Sequence, residues 1–375
     1  MLRLQVLDSP KFDLFELLTE LQTAGMRWSA EGGLGLHRRA GAGPSDHKAV
    51  KLAGQTIMVP IHTAAAASSR FEVRGVLGER IELYRDGWPL VPIEVAPMPR
   101  FYARSTAEGI PYWKIAALHS TDVLASTLLQ RCVRWGSREK RCQFCAIGQS
   151  LQSGATIVEK TPEQLAEVAR AAVELDGVKH MVLTTGTPPS KDRGALLLSR
   201  ATAAVAQAAG LPVQAQCEPP AYFGWFQRLK DAGVVTLGMH LEAATDEVRQ
   251  RFLPGKAELP LSFYLEAFEA AVEVFGRGQV TTYLLAGLGD SEDAIVALCE
   301  RVAALGVYPF VVPFVPIAGT LLEHRSPPSA ASMALLLPRV ARSLERHGLR
   351  SSEIGAGCGR CGACSTLRAA EAAHA

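Results

Sequence analysis

The sequence predicts an α/β protein: a partial (βα)6 TIM-type barrel with an N-terminal α+β accessory domain and a C-terminal cysteine-rich segment. From about residue 116 to 325, segments typical of strands alternate with segments typical of helices. The predicted strands are almost continuously apolar, as expected of parallel strands that helices cover on both faces. Three of the eight cysteines are grouped close to the end of the chain, at Cys358, Cys361 and Cys364.

The predicted barrel occupies residues 116–325. Thr161 and Gln164 form a capping-box pattern around Pro162, which predicts the start of a helix. Gly210 and Gly306 follow two further predicted helices, in the position where glycine commonly ends a helix. The six strands are predicted at residues 124–130, 180–185, 212–217, 234–240, 279–286 and 308–315. In such barrels the reactive groups follow the carboxyl ends of the strands.

The two flanking parts differ from the barrel in pattern. Residues 1–115 contain short strand-like stretches, and Asp86-Gly87 is typical of a tight turn between two strands. We interpret this part as an accessory α+β domain. Residues 326–375 form a third part, in which a predicted helix precedes the last group of cysteines.

The composition is that of a globular protein, with 48% hydrophobic and 20% charged residues. The formal net charge is only +2, and no run of Lys or Arg is seen, which argues against a nucleic-acid partner. Neither a secretory signal nor a stretch suited to spanning a membrane is visible. We therefore expect a cytoplasmic protein without a membrane or nucleic-acid partner.

The loop after the first predicted barrel strand carries Cys132, Cys142 and Cys145. In a reducing compartment, such a group favours a metal site over disulfides. Three thiolates on a [4Fe–4S] cluster leave one iron free to bind another molecule. Neighbouring basic residues favour thiolates over thiols; they are Arg131, Arg134, Arg138, Lys140 and Arg141. A structural zinc site and three incidental cysteines are the alternatives.

This loop resembles the cluster loop of radical SAM enzymes. It follows the first strand of a six-strand barrel, and the aromatic Phe144 directly precedes the last cysteine. The usual family spacing is Cys-x3-Cys-x2-Cys, and here the first gap is lengthened to nine residues. The barrel is similar to the biotin and lipoyl synthase branch, and the whole pattern resembles a radical SAM family of bacterial nitrilase gene clusters.

The resemblance implies S-adenosylmethionine (SAM) contacts at two strand ends. Thr185, Gly186 and Thr187 occupy the place of the family's Gly-Gly-Glu-like turn, which holds the amino group of SAM. The acid of that turn is missing here, so hydroxyl and carbonyl oxygens are expected to accept instead. His240 and Glu242 stand where biotin and lipoyl synthases place ribose contacts.

Two further strand ends continue the resemblance. The stretch that contains Gly287 and Gly289 resembles the motif that forms the wall beside the adenine of SAM. Glycine there is expected to allow close backbone approach to a flat ring. Val315 lies in the last strand end, whose backbone meets the adenine edge in the family.

The C-terminal Cys358, Cys361 and Cys364 have the spacing of the first three ligands of bacterial ferredoxin clusters. We interpret them as ligands of an auxiliary iron–sulfur cluster, with zinc as the alternative. The fourth ligand stays open among Ser365, a histidine, Cys217 and substrate. Another alternative is one zinc ribbon that uses Cys142, Cys145, Cys361 and Cys364.

The resemblance implies an enzyme that reductively cleaves SAM at a [4Fe–4S] cluster to a 5′-deoxyadenosyl radical. The radical would abstract hydrogen from a small-molecule substrate of biosynthesis or nitrogen metabolism, and a flavodoxin or ferredoxin would supply the electron. Two other functions remain open: a zinc-stabilised, nucleotide-binding barrel without radical chemistry, and an electron carrier with two clusters. The strand ends argue against a carrier, which needs no ribose or adenine contacts.

Overall fold

The computed structural model describes residues 12–29, 47–76 and 81–374. The N-terminal strands are β1 (Arg27–Trp28), β2 (His47–Leu52), β3 (Gln55–Pro60), β4 (Phe71–Gly75), β5 (Ile81–Arg85) and β6 (Trp88–Val95). They form one sheet in the order β1-β4-β5-β6-β2-β3. Helix α1 (Leu14–Ala24) packs its buried leucines against the apolar residues of this sheet.

A second sheet forms the barrel. Its strands are β7 (Ala117–His119), β8 (Val123–Thr127), β9 (His180–Thr184), β10 (Val213–Gln216), β11 (Val234–Gly238), β12 (Val280–Ala286) and β13 (Val307–Pro313). They neighbour one another in chain order, and β8 to β13 pair in parallel. The predicted partial barrel with six parallel strands is confirmed. Strand β7 was not predicted; it pairs antiparallel with β8 at the sheet edge.

Helices connect and cover the strands. The remaining ones are α2 (Ala64–Ala67), α3 (Tyr112–Ile115), α4 (Ile147–Gln152), α5 (Pro162–Asp176), α6 (Ala195–Ala209), α7 (Gly224–Asp231), α8 (Asp246–Phe252), α9 (Pro254–Ala257), α10 (Leu261–Phe275), α11 (Glu292–Ala304), α12 (Ala330–Arg346), α13 (Cys358–Cys361) and α14 (Leu367–His374). Two 3₁₀ helices span Arg100–Ala103 and Ser351–Glu353. No helix within the described residues is both long enough and apolar enough to cross a membrane.

The start of α5 shows how local sequence sets these elements. The hydroxyl of Thr161 accepts the backbone N–H of Gln164 at 3.2 Å, and the Gln164 side chain accepts the N–H of Thr161 at 3.1 Å. This is the predicted capping box, and an N-cap of this kind contributes about 1 kcal/mol. Leu165, Val168 and Ala172 then lie on one side of α5 and enter the barrel core.

Residues 355–366, which we call the floor segment, lie against the barrel near the amino ends of its strands. The side chains of His180 and Gln214 accept backbone N–H groups of residues 357 and 358, each at 3.0 Å. Thr236 donates to the backbone carbonyl of residue 356, also at 3.0 Å. Polar side chains inside a barrel need hydrogen-bond partners, and the backbone of the floor segment supplies them.

The floor segment also contacts the N-terminal part of the chain. The carbonyl of Ala363 accepts the backbone N–H of Met58 at 2.8 Å and the side chain of Gln22 at 2.9 Å. The hydroxyls of Thr19 and Thr366 are hydrogen-bonded at 2.9 Å. The segment is therefore held between the barrel and the N-terminal sheet. The proposed boundaries of three domains, at residues 115 and 325, stay predictions.

We predict that Glu371 on α14 anchors the chain end to the barrel. It accepts the hydroxyl of Tyr308 on β13, and also the backbone N–H and hydroxyl of Ser351 at 3.0 and 2.9 Å. Because hydrogen bonds to a charged group contribute more than neutral ones, Glu371→Ala should lower the free energy of unfolding by about 2 kcal/mol. Urea unfolding followed by circular dichroism measures this loss. The exposed Glu345 is the matched control, and equal effects of Glu345→Ala and Glu371→Ala would contradict the prediction.

Candidate functional site

A cavity of about 390 Å3 lies inside the barrel, and its lining includes residues from both ends of the strands. Most of the residues predicted from the sequence line this cavity: Cys132, Cys142, Cys145, Thr185, Gly186, Thr187, His240, Glu242, Val315, Cys358 and Cys364. Gly287, Gly289 and Cys361 are not among the lining residues. The structure thus brings together two cysteine groups that are more than 200 residues apart in sequence.

The first cysteine group lies on the loop after β8, at the carboxyl ends of the strands. Neighbouring elements fix the loop: the backbone of Gln143 donates to Phe252 at 2.8 Å and accepts from Leu321 at 3.0 Å. Burial raises the pKa of the Cys145 thiol to about 12 and that of Cys142 well above its usual value. These two thiols therefore stay protonated without metal, and metal binding would release their protons.

The turn after β9 packs directly against the cysteine loop. A Cβ atom at Gly186 would lie 2.0 Å from the carbonyl oxygen of Arg131, so only glycine allows this approach. Thr187 donates its hydroxyl to Glu218 at 2.9 Å, and Arg134 of the cysteine loop forms a buried ion pair with the same carboxylate. A carboxylate that follows β10 therefore contacts this turn, which has none of its own.

Glu242 follows β11 and forms the second buried ion pair of the cavity, with Lys256 at 2.9 Å. Burial alone would lower the pKa of Lys256, but the Glu242 carboxylate raises it well above its usual value. The backbone of Glu242 has a positive φ of 68° and bridges to Leu284 of β12. A non-glycine residue in this region is uncommon, and the strand bridge holds it there.

His240 is neutral at physiological pH. Burial lowers its pKa to about 3, and its Nδ1 atom accepts the backbone N–H of Tyr283 at 3.2 Å. The proton of the neutral ring must then reside on Nε2. That nitrogen is buried without a hydrogen-bond partner, and so is Oε2 of Glu218. One unpaired donor and one unpaired acceptor in the lining suit a polar ligand.

The segment after β12 supports the cavity wall from behind. A Cβ atom at Gly287 would lie 2.9 Å from Pro328, and one at Gly289 would contact Val248 and Phe252 at 3.5 Å. Asp290 accepts the backbone N–H groups of residues 244 and 245 at 2.7 and 3.0 Å. Gly287 therefore permits close packing between protein segments, the positive φ of 139° favours glycine at Gly289, and Asp290 shapes the loop that follows Glu242.

The second cysteine group lies on the floor segment, at the other end of the cavity. Cys358 accepts hydrogen bonds from the side chains of Gln216 and Tyr283. Cys364 Sγ lies 3.3 Å from Nε2 of His119. Burial raises the pKa of Cys361 to about 12 and that of Cys364 well above its usual value. Within the described part of the chain, no three His, Cys, Asp or Glu side chains converge as ligands of one metal ion.

Sequence reasoning did not assign site roles to Glu218, Lys256, Gln216 and Tyr283, which also line the cavity. Glu218 could have been identified from the sequence, because it follows the carboxyl end of a predicted strand. Gln216 and Tyr283 lie within strands, and strand alternation turns them toward the barrel interior. No sequence pattern identifies Lys256, because the packing of the short helix α9 brings it to the cavity.

Curated relatives of the chain are enzymes. It is 24% identical over 281 residues to the bacteriochlorophyllide c C-7(1)-hydroxylase of Chlorobaculum limnaeum, which covers 70% of this chain and 69% of the hydroxylase. It is 26% identical over 125 residues to a probable dual-specificity RNA methyltransferase RlmN of Moorella thermoacetica, covering 33% and 35% of the two chains. The expectation from the sequence that the protein has no nucleic-acid partner is therefore not supported.

A solved structure of methylornithine synthase is also similar, with a TM-score of 0.47, 16% identity, and coverage of 67% of this chain and 69% of that one. The family model of the radical SAM superfamily matches residues 139–302. The match includes Cys142, Cys145 and the strand ends from β9 to β12. Members of this superfamily use a [4Fe–4S] cluster and SAM. Residues 139–302 therefore match the radical SAM superfamily, and the similarity to curated enzymes indicates that the chain is an enzyme.

Proposed function

We propose that the cavity holds SAM at the carboxyl ends of the strands and a small organic substrate between SAM and the floor segment. The observation that carries this proposal is the shared lining: both cysteine groups border the same cavity. Catalysis of this kind needs a substrate enclosed beside the reacting group and away from water. A cavity inside the barrel provides that enclosure.

The residues present at the carboxyl ends fit an iron–sulfur cluster. Cys132, Cys142 and Cys145 offer three sulfur ligands, the number that leaves one iron open. When bound, the cluster and SAM supply a radical able to abstract hydrogen from an unreactive carbon. We expect a flavodoxin or ferredoxin as the electron donor.

Glu218 and Thr187 suit the amino group of SAM. An ammonium group needs acceptors, and the second carboxylate oxygen of Glu218 is buried without a partner. The hydroxyl of Thr187 already donates to Glu218, so its lone pairs point elsewhere. Arg134 pairs with the same carboxylate and links it to the cysteine loop. Thr185 and Gly186 complete this turn as proposed SAM contacts.

His240 and Glu242 suit the ribose of SAM. The Nε2–H of the neutral His240 is a donor without a partner, and a carboxylate can accept from both ribose hydroxyls. Lys256 holds the Glu242 carboxylate in place through their ion pair. Val315 lines the cavity near this end and is our candidate for the adenine edge.

We infer the class of substrate from the part of the cavity that bound SAM would leave free. The far end of the cavity is formed by Gln216, Tyr283 and the thiols of the floor segment. This end of the cavity offers the aromatic ring of Tyr283 and the side-chain carbonyl of Gln216 to an organic molecule. The named relatives hydroxylate a bacteriochlorophyllide and methylate RNA, so their products do not identify the product of this enzyme.

We predict that the anaerobically reconstituted protein, given SAM and dithionite, forms 5′-deoxyadenosine. Cys142→Ala removes one of the three proposed cluster ligands and should lower this product to background. Cys299→Ala is the matched control, because Cys299 is buried within α11 and lies outside the cavity lining. Chromatography of the quenched reaction measures the product.

Iron and zinc analysis of the same samples decides between the proposal and its alternative. A protein that holds only zinc and forms no 5′-deoxyadenosine after reconstitution would contradict the proposal. Such a result would favour the zinc-stabilised, nucleotide-binding barrel. Equal 5′-deoxyadenosine yields from Cys142→Ala and the unmodified protein would show that the cluster lies elsewhere.

We predict a positioning role for Lys256. Lys256→Met leaves the Glu242 carboxylate buried without its partner, which should cost about 3 kcal/mol of stability. The double variant Lys256→Met/Glu242→Gln should recover most of this loss, because no buried charge remains. Both variants should bind SAM roughly tenfold more weakly, since hydrogen bonds to charged groups are lost.

Lys140 provides the control for this pair. It forms an ion pair with Glu258 at 2.9 Å, but both side chains are more than half exposed. Lys140→Met should therefore change stability by less than about 1 kcal/mol and leave SAM binding unchanged. Equilibrium dialysis with labelled SAM and urea unfolding give the two readouts. Unchanged SAM affinity in both Lys256 variants would contradict the proposed role of Glu242.

A further inference from the structure

The cysteines of the floor segment offer three sulfur ligands, whereas zinc sites and iron–sulfur clusters usually take four protein ligands. Two of the thiols, Cys358 and Cys364, line the barrel cavity, and the third, Cys361, ends α13 and packs against the N-terminal sheet. A fourth ligand supplied by the chain would complete the centre. The surroundings of the three thiols show which residue is placed to do so.

Two of the possible fourth ligands given by the sequence, Ser365 and Cys217, have other contacts. The hydroxyl of Ser365 donates to the carbonyl of Val311 at 2.6 Å and accepts the backbone N–H of Leu367 at 3.1 Å. Cys217 follows β10 at its carboxyl end, where it packs in the apolar core and lines the cavity beside Glu218. Neither side chain is placed as a ligand of the floor segment.

His119 is placed differently. It ends β7, lines the cavity, and brings its Nε2 atom to 3.3 Å from Cys364 Sγ. In a [2Fe–2S] centre each iron takes two ligands from the chain, and such a pair, at bond lengths near 2.3 Å for sulfur and 2.0 Å for nitrogen, lies about 3.5 Å apart. The adjacent Ser120 hydrogen-bonds through its side chain with Cys361. The turn between β7 and β8 therefore contacts two of the three thiols.

We propose that His119 is the fourth ligand of a [2Fe–2S] centre held by Cys358, Cys361 and Cys364, with His119 and Cys364 on the same iron. Neutral imidazole nitrogen is an established ligand of iron, and its exchange for a thiolate lowers the negative charge of the centre. A centre with four ligands from the chain has no open iron for substrate. It would face the cavity through Cys358 and Cys364 without binding substrate directly.

Mixed ligation has a measurable signature. Histidine in place of a thiolate raises the reduction potential of an iron–sulfur centre. The hydrogen bonds that Gln216 and Tyr283 make to Cys358 act in the same direction, because they offset sulfur charge. His119→Cys should keep the iron and lower the potential, and His119→Ala should lower the iron content of this centre.

The test uses a chain in which Cys132, Cys142 and Cys145 are all replaced by alanine, so that only the C-terminal centre remains. The protein is labelled with 15N-histidine, reconstituted with iron and sulfide, reduced, and examined by pulsed electron paramagnetic resonance. We expect a strong hyperfine coupling to one labelled nitrogen, lost in His119→Cys while iron is retained. His47→Ala, at another histidine of the cavity lining, should retain the coupling.

The same measurement on the unmodified holoprotein without SAM guards against misfolding of the triple variant, and it should show the same coupling. Absence of the coupling there, its persistence in His119→Cys, or its loss in His47→Ala would overturn the proposal. A C-terminal centre that takes up only zinc would overturn it as well. No step of this test requires SAM cleavage, so its failure leaves the proposed function standing.

Discussion

Parallel pairing of the strands from β8 to β13, in chain order, decides which residues can meet at each end of the barrel. Because all six strands run the same way, their carboxyl ends meet at one end of the barrel and their amino ends at the other. Loops after β8, β9, β10 and β11 then converge, although they are far apart in sequence. The cysteine loop, Glu218 and Glu242 border one space for this reason.

The amino ends of the strands form hydrogen bonds with the floor segment. Inward-facing polar side chains there need partners, and the floor segment provides them with backbone groups. Three such hydrogen bonds, with contacts to the N-terminal sheet on the other side, fix where the last cysteines lie. Hydrogen bonds to buried polar side chains at the end of the barrel therefore set the position of the second cysteine group.

Much of the barrel could be predicted from the sequence, because its signals are local. Apolar runs indicated the six parallel strands, and the capping box at Thr161 indicated the start of α5. The cysteine groups and the residues after each strand were also visible. Gly287 shows the limit of such reasoning: the sequence indicated close approach to a flat ring, but the segment that packs closely against it is the one that contains Pro328.

The rest depended on contacts that no local pattern reports. Lys256 reaches Glu242 only because α9 folds back over the barrel end, and the contact between Cys364 and His119 joins residues 245 positions apart. Strand β7 is short and antiparallel, so it lacked the apolar run that marked its neighbours. Long-range packing of this kind is set by the whole fold.

We expect the two cysteine groups to hold separate iron centres at opposite ends of one cavity. Anomalous diffraction at the iron edge, from crystals of the anaerobically reconstituted protein, would locate the iron. We expect two iron sites, one beside Cys132, Cys142 and Cys145 and one beside Cys358, Cys361 and Cys364, with the cavity between them. Iron at one end only, or one metal shared by both groups, would contradict this expectation.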